Sequence, residues 1–209
     1  MKPQDDEQEP TPQFDPFDQF AFESYEALLQ ERTILFNGDV KSNAIEHIVL
    51  PLITMSQRSS KPIKLLIHSS GGDVEAGQAV CDAILTSRAP VIAIALGKAM
   101  SAAFDIFLSA DKRIVYPNTV LMCHSGSTAL APQTLPQVNT EAHLHEVLFK
   151  RWASFYASRT KVSEKEWMKL LETGLNKYYL PEESVELGIA HEIIKIPKKS
   201  SKFSYKIEF

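Results

Sequence analysis

A chain of 209 residues, 44% hydrophobic, has the size and apolar content of one domain with a sizeable core and loose ends. Its formal charge of −4 and the lack of any basic, aromatic-interleaved stretch argue against nucleic acid as a partner. Two cysteines, Cys81 and Cys123, are too few and too scattered for a disulfide framework or a zinc site, and read as reduced core residues of a cytoplasmic protein. No apolar run reaches the roughly 20 residues of a membrane span. The acidic start, Met1-Lys2-Pro3-Gln4-Asp5-Asp6-Glu7, lacks the apolar core of a secretory signal. No cofactor and no metal site are expected.

In chain order, residues 1 to about 19 are rich in Pro, Gln and Asp and predict disorder in the free chain. Phe14, Phe17, Phe20 and Phe22 break that pattern, either as anchors for a partner surface or as local anchors. The segment 1–23 is set apart as a flexible N-terminal region, 24–196 as the folded domain and 197–209 as a tail. Ser24 is placed as the N-cap of a short helix ending at Gln30, followed by a strand over Thr33 to Phe36 and a turn at Asn37-Gly38-Asp39. Ala44, Ile45, Ile48, Val49, Leu52 and Ile53 follow helical spacing, with Pro51 expected to kink or split the helix.

Ile63 to His68 reads as a strand, Ser69-Ser70-Gly71-Gly72-Asp73 as a glycine-rich turn and Val74 to Thr86 as a helix. Val91 to Leu96 is another apolar, β-branched strand, so the order predicts a βαβ unit and a parallel sheet. Gly97-Lys98-Ala99-Met100-Ser101-Ala102-Ala103 then leads into an apolar helix through Leu108. Clefts in such sheets open beyond the carboxyl ends of the strands. Gly71-Gly72 and Ser101 both fall there. Two readings of Ser101 stand side by side: an N-cap, the commonest task of a serine before a helix, or a nucleophile whose oxyanion is met by helix-start amides.

Arg113 to Val115 and Val120 to Cys123 read as short strands joined by a turn at Tyr116-Pro117-Asn118. His124 ends the second, and alternation along a strand sends Cys123 and His124 to opposite faces. Ser125 to Gln137 is polar and Pro-containing and reads as a mobile loop. A long amphipathic helix is predicted over Thr140 to Ser158, with Leu144, Leu148, Trp152 and Phe155 on one side. Ser163-Glu164-Lys165-Glu166 fits a capping box opening a helix through Leu171. Pro181 opens another short helix closed by Gly188, and Ile189 to Ile194 reads as a last strand.

From about Tyr25 to Ile194 these stretches, in this order, resemble the ClpP family, the proteolytic subunits of Clp proteases. Tyr25 to Ile34 is similar to the family's first helix and strand. Ile67 to Gly77 is similar to its asparagine–serine–proline–glycine–glycine loop, and Gly97 to Ala103 to the segment with its nucleophilic serine. Tyr116-Pro117-Asn118 with Met122-Cys123-His124 is similar to the segment with its histidine, and Glu182 to Ile189 to its final helix and turn. The resemblance implies an α/β fold of repeated ββα units, of the ClpP/crotonase type, with a protruding helix (the handle) for ring–ring contact. It implies an ATP-dependent serine endopeptidase with Ser101 as nucleophile, His124 as general base and acid, and the N–H groups of Gly72 and Ala102 as oxyanion hole. It also implies seven-membered rings stacked as a tetradecamer, polypeptide substrates and a Clp-type AAA+ ATPase that delivers them; the peptidase subunit itself binds no ATP.

The sequence departs from the family pattern at several points. Ala103 replaces a usual glycine, Asp105 a usual apolar residue, and the stretch around Ser109 to Lys112 is about two residues short. Asn176 falls where the family carries its catalytic aspartate, with Gly174 and Leu175 in place of residues that pair across the ring–ring interface. Three functions are therefore weighed: an active peptidase; a weakly active or silent structural subunit that assembles with a competent paralogue; and a crotonase-like acyl-CoA enzyme, which needs no Ser101–His124 pair.

Overall fold

A computed structural model describes residues 16–126 and 134–196 of the chain, with side chains from residue 20 onward. The expectations for Phe14, for most of the mobile loop and for the tail at 197–209 lie outside the described residues. The element order is α1 (Pro16–Gln30), β1 (Thr33–Asn37), a π-helical turn (Ile45–Val49), α2 (Leu50–Arg58), β2 (Ile63–Ser69), α3 (Val74–Leu85), β3 (Val91–Met100), α4 (Ala102–Ser109), β4 (Lys112–Val115), β5 (Val120–Cys123), α5 (Leu135–Arg159), α6 (Glu164–Thr173), β6 (Lys177–Tyr179), α7 (Pro181–Glu186) and β7 (Glu192–Ile193).

The strands β1-β2-β3-β4-β7 lie side by side and all pair in parallel. The tip of β3 turns to a second partner: Lys98, Ala99 and Met100 pair in parallel with Val120, Leu121 and Met122 of β5. β5 in turn pairs with β6, the antiparallel exception. Alternation within the sheet is strong. Val91, Ala93, Ala95 and Ala99 are buried under the helices, whereas Ile92, Ile94, Leu96, Lys98 and Met100 face the other side and are half-buried.

The helices α3 and α4 bury Val80, Ile84, Phe104, Phe107 and Leu108 against that sheet. Gly77 allows their close approach, because a Cβ there would stand 3.0 Å from the Ala102 methyl. A cluster of Phe104, Tyr156, Trp167 and Tyr179, with ring centroids 5.1–6.3 Å apart, ties α4 to α5, α6 and β6. Arg113 is buried in β4 and donates to the carbonyls of Ala110, Arg159, Gly188 and Ile189. One guanidinium thereby satisfies the end of α4, the end of α5 and the turn after α7.

The boundaries of several elements correct the sequence reading. Helix α1 starts at Pro16, so Ser24 lies inside it rather than at its cap. Phe20 and Phe22 are 67% and 62% exposed on α1, so neither is a local anchor. The helix after Asn43 is split as Pro51 predicts: a π-helical turn ends at Val49 and α2 restarts with the proline in its first turn. α5 begins five residues early, at Leu135. Pro136 sits in its first turn, where no N–H is needed, and the Gln137 side chain accepts from the Thr134 N–H at 2.8 Å. Leu144 is 53% exposed, whereas Phe149, Trp152, Ala153, Phe155, Tyr156 and Ala157 of α5 reach the core, so Trp152 and Phe155 of the expected apolar side do pack inward. The strand expected over Ile189 to Ile194 shrinks to Glu192–Ile193. β6 has no counterpart in the sequence reading.

The candidate active site

The site is built where β3 ends. Ser101 follows Met100 without a loop and stands at the N-cap of α4 with φ 53° and ψ −129°, a conformation that L-residues avoid. Its N–H donates to the Met122 carbonyl at 2.9 Å, and its carbonyl accepts from Phe104 and Asp105. The side chain makes no capping hydrogen bond. Its Oγ instead lies 2.7 Å from His124 Nε2, the next residue after β5. The two readings of Ser101 are separated by this geometry. Its backbone occupies the cap position, but its hydroxyl is turned to the imidazole.

The β2–α3 turn supplies the wall opposite. Gly71 and Gly72 have φ of +93° and +148°. A Cβ on Gly71 would fall 2.5 Å from the Met100 carbonyl and 2.7 Å from Ser101 Cβ, and one on Gly72 would fall 2.3 Å from the Val40 carbonyl. Only glycines let this turn lie flat against Ser101. Val40 clamps it, its N–H donating to Gly71 and its carbonyl accepting from Asp73, each at 2.9 Å. Asp73 also caps α3 through Ala76 N–H at 2.7 Å. The N–H groups of Gly72, in the turn packed on Ser101, and of Ala102, the residue after the serine, have no acceptor among the described residues.

Asn176 occupies the position just before β6. Cys123 pairs with Lys177 in the antiparallel ladder, so His124 and Asn176 are the next residues across from one another. The Asn176 amide donates to the Tyr178 hydroxyl at 3.3 Å, and among the described residues no hydrogen bond joins it to His124. Ser101 and His124 are thus in contact, Ala102 follows the serine, and Gly71, next to Gly72, packs on both Ser101 and Ala102; Asn176 lies across from His124 without being bonded to it.

Asp105 is on the other side of the sheet. It is half-buried at the floor of a cavity of about 200 Å³ between α3, α4 and α5. Tyr156 donates its hydroxyl to Asp105 Oδ1 at 2.5 Å. The carboxyl that replaces the usual apolar residue is thus paired, and its partner is on α5. It does not serve His124, because its neighbours are the buried thiols of Cys81 and Cys123. Cys123 and His124 do point to opposite faces. Burial lifts the Asp105 carboxyl from about 3.8 to about 7, against the lowering effect of the Tyr156 hydroxyl, and pushes the Cys81 thiol up to about 12.

A model of the Clp protease family matches residues 17–197. The ATP-dependent Clp protease proteolytic subunit of Deinococcus radiodurans is 30% identical over 178 residues, covering 83% of this chain and 85% of that protein. Proteolytic subunit 2 of Treponema denticola is 33% identical over 182 residues, covering 82% and 88%. Among solved structures, an asparagine-to-aspartate mutant of ClpP1 from Listeria monocytogenes superposes with a TM-score of 0.73 at 27% identity, covering 83% of this chain and 97% of that one. The parallel sheet with flanking helices is the ClpP-type α/β fold. The chain belongs to the Clp protease family, as a ClpP-like proteolytic subunit.

The Asp105 carboxyl generates a pH prediction. The unfolded chain ionises it near 3.8, while the folded chain keeps it protonated up to about 7. Between those values the folded state binds more protons, so this group lowers stability as pH rises from 4 to 7, and the loss is complete above 7. Asp105→Asn keeps an acceptor for Tyr156 and removes the ionisation. Urea unfolding at pH 8 is expected to show the variant more stable by about 2–4 kcal/mol. At pH 4 the difference should nearly vanish. An equal difference at both pH values would contradict the buried-acid account.

Proposed function

We propose that the chain is a serine endopeptidase subunit of a Clp-type barrel, hydrolysing peptide bonds of unfolded polypeptides. The observation that carries the reading is the 2.7 Å contact between Ser101 Oγ and His124 Nε2, together with two amides unpartnered among the described residues. In this mechanism the Ser101 hydroxyl attacks the scissile carbonyl carbon and its proton passes to His124 Nε2. The carbonyl oxygen becomes an oxyanion and is held by the N–H groups of Gly72 and Ala102, the latter also at the positive end of α4. His124 then protonates the leaving amine, giving an acyl-enzyme. Water, deprotonated by the same imidazole, attacks the ester and releases the second product with Ser101 regenerated. A crotonase-like acyl-CoA reaction would leave the serine–imidazole hydrogen bond without a task.

The assembly is read from α5. At 25 residues it is about 37 Å long, yet it is anchored in the core only from Phe149 onward, within its C-terminal half. Leu135, Leu144 and Val147 are exposed toward its other end, apolar surface that a partner subunit would cover. We read α5 as the handle of seven-membered rings that stack as a tetradecamer. Leu175, 68% exposed next to Gly174, offers no charge to a facing ring, which predicts a weakened ring–ring contact. The curated relatives are named as ATP-dependent, and a Clp-type AAA+ ATPase is the corresponding partner proposed here.

Asn176 supports a second reading, a weakly active or silent subunit that assembles with a competent paralogue. The third triad member must accept a hydrogen bond from His124 Nδ1–H and stabilise the imidazolium. An amide carbonyl can do the first, but it carries no charge for the second, and here the amide is engaged with Tyr178. In chymotrypsin-type proteases the corresponding Asp→Asn change lowers kcat roughly 10⁴-fold.

Ser101→Ala is expected to abolish hydrolysis of a fluorogenic peptide while leaving the oligomer intact; persistent hydrolysis by the pure variant would remove the nucleophile assignment. Asn176→Asp is expected to raise kcat at matched oligomeric state by about 10–1,000-fold, or ~1.4–4 kcal/mol of barrier. An unchanged or lower rate in intact rings would show that Asn176 is not the triad position.

A further inference from the structure

The face of the sheet that carries His124 also carries a cation with no counter-charge among the described residues. Lys98 pairs with Val120, and Met100 pairs with Met122, so the side chains of Lys98, Met100, Met122 and His124 emerge on one face. Lys98 is three residues before Ser101 on the strand that delivers the serine, within about 10 Å along β3. Its Nζ donates to Ser70 Oγ at 2.7 Å, which holds the ammonium against the β2–α3 turn, directly before Gly71-Gly72. The lysine therefore sits between the strand and the turn that frame the serine.

No carboxylate of the described residues answers it. The ion pairs of the described residues are Lys41–Asp39, Lys112–Glu192, Lys177–Glu183 and the His143–Glu146 contact. Asp73, the acidic residue nearest in sequence to Ser70, spends its side chain on the cap of α3. The hydroxyl of Ser70 satisfies one of three ammonium donors and none of the charge.

We propose that Lys98, held by Ser70, is a specificity-determining residue that selects polypeptide substrates with an acidic side chain within about three residues of the scissile bond. This rests on the peptidase reading of Ser101 and His124. An extended substrate advances about 3.3 Å per residue, so the distance from Ser101 to Lys98 spans some three of its positions. Lys98 is half-buried, its ammonium hydrogen bond to Ser70 is exposed, and Ser70 directly precedes the glycine packed on Ser101. There a carboxylate would replace water at the two free ammonium donors. A basic substrate side chain would meet like charge instead.

The test uses internally quenched peptides that differ only in carrying Glu, Gln or Lys at each of the three positions on either side of the cleaved bond. Peptidyl diphenyl phosphonates with the same side chains, whose phosphorus is attacked by the serine Oγ with loss of phenoxide in a single turnover, supply the readout where peptide turnover is slow. At low salt, kcat/KM or the labelling rate is expected to be about tenfold higher for Glu than for Lys at one or two positions. The ratio should fall toward unity in 0.5 M NaCl, because exposed charges are screened beyond a few ångströms there. Lys98→Gln should remove the preference and Lys98→Glu should invert it, while Ser70→Ala should weaken it. A Glu/Lys ratio that is the same in Lys98→Glu as in the unaltered chain overturns the inference while leaving the peptidase reading standing. Failure of every peptide and phosphonate to react at Ser101, even in the Asn176→Asp background, overturns the peptidase reading and the inference with it.

Discussion

The structure depends on holding one serine where a serine does not wish to be. The positive φ of Ser101 costs roughly 1–3 kcal/mol for a residue with a side chain. Four neighbours over-determine it. β5 accepts its N–H through Met122, α4 donates two N–H groups to its carbonyl, the Gly71 turn is pressed on its Cβ, and His124 takes its hydroxyl. Each of these neighbours is fixed by long-range packing rather than by local propensity. β5 reaches Ser101 only because β3 changes partner from β4 to β5 along its length. The strain therefore persists because the sheet, the turn and the helix share the same point.

The sheet separates two chemistries. On the helix side, Asp105, Tyr156, Cys81 and Cys123 form a buried polar pocket that raises the carboxyl and the Cys81 thiol. On the other side, His124 meets Ser101 next to Lys98 and the two methionines. Because the successive residues Cys123 and His124, at the end of β5, enter the two compartments, the acid on the helix side does not disturb the imidazole by contact. Asp105 instead ties α4, which starts at Ser101, to α5, which extends away from the core. An acid at that junction links the base of the long helix to the helix that carries the serine.

Much of this was legible in the sequence where the signal is local. Apolar β-branched runs gave β2 and β3, Pro51 gave the split helix, and Ser163 with Glu166 gave the cap of α6. The serine, the glycine pair and the histidine were legible as strand ends of a parallel sheet, although no sequence pattern states that His124 and Ser101 touch. What failed was tertiary. β6 is three residues, two of them exposed, and exists because β5 offers an edge. The early start of α5 depends on Gln137 reaching back to Thr134 over a proline that reads as a loop residue. The partner of Asp105 lies 51 residues away on another helix, beyond any spacing rule. Lys98 carried no signal at all beyond its presence in the serine segment. Its meaning comes from Ser70 and from the absence, among the described residues, of a carboxylate paired with it.

The central claim is that His124 activates Ser101. The most direct measurement is the site and rate of fluorophosphonate modification, read by peptide mass spectrometry on the intact assembly and on a His124→Ala variant. The account predicts phosphonylation of Ser101 alone among the chain's serines, with the rate reduced at least a hundredfold when the imidazole is removed. Modification at another serine, or an unchanged rate at Ser101 without His124, would contradict it.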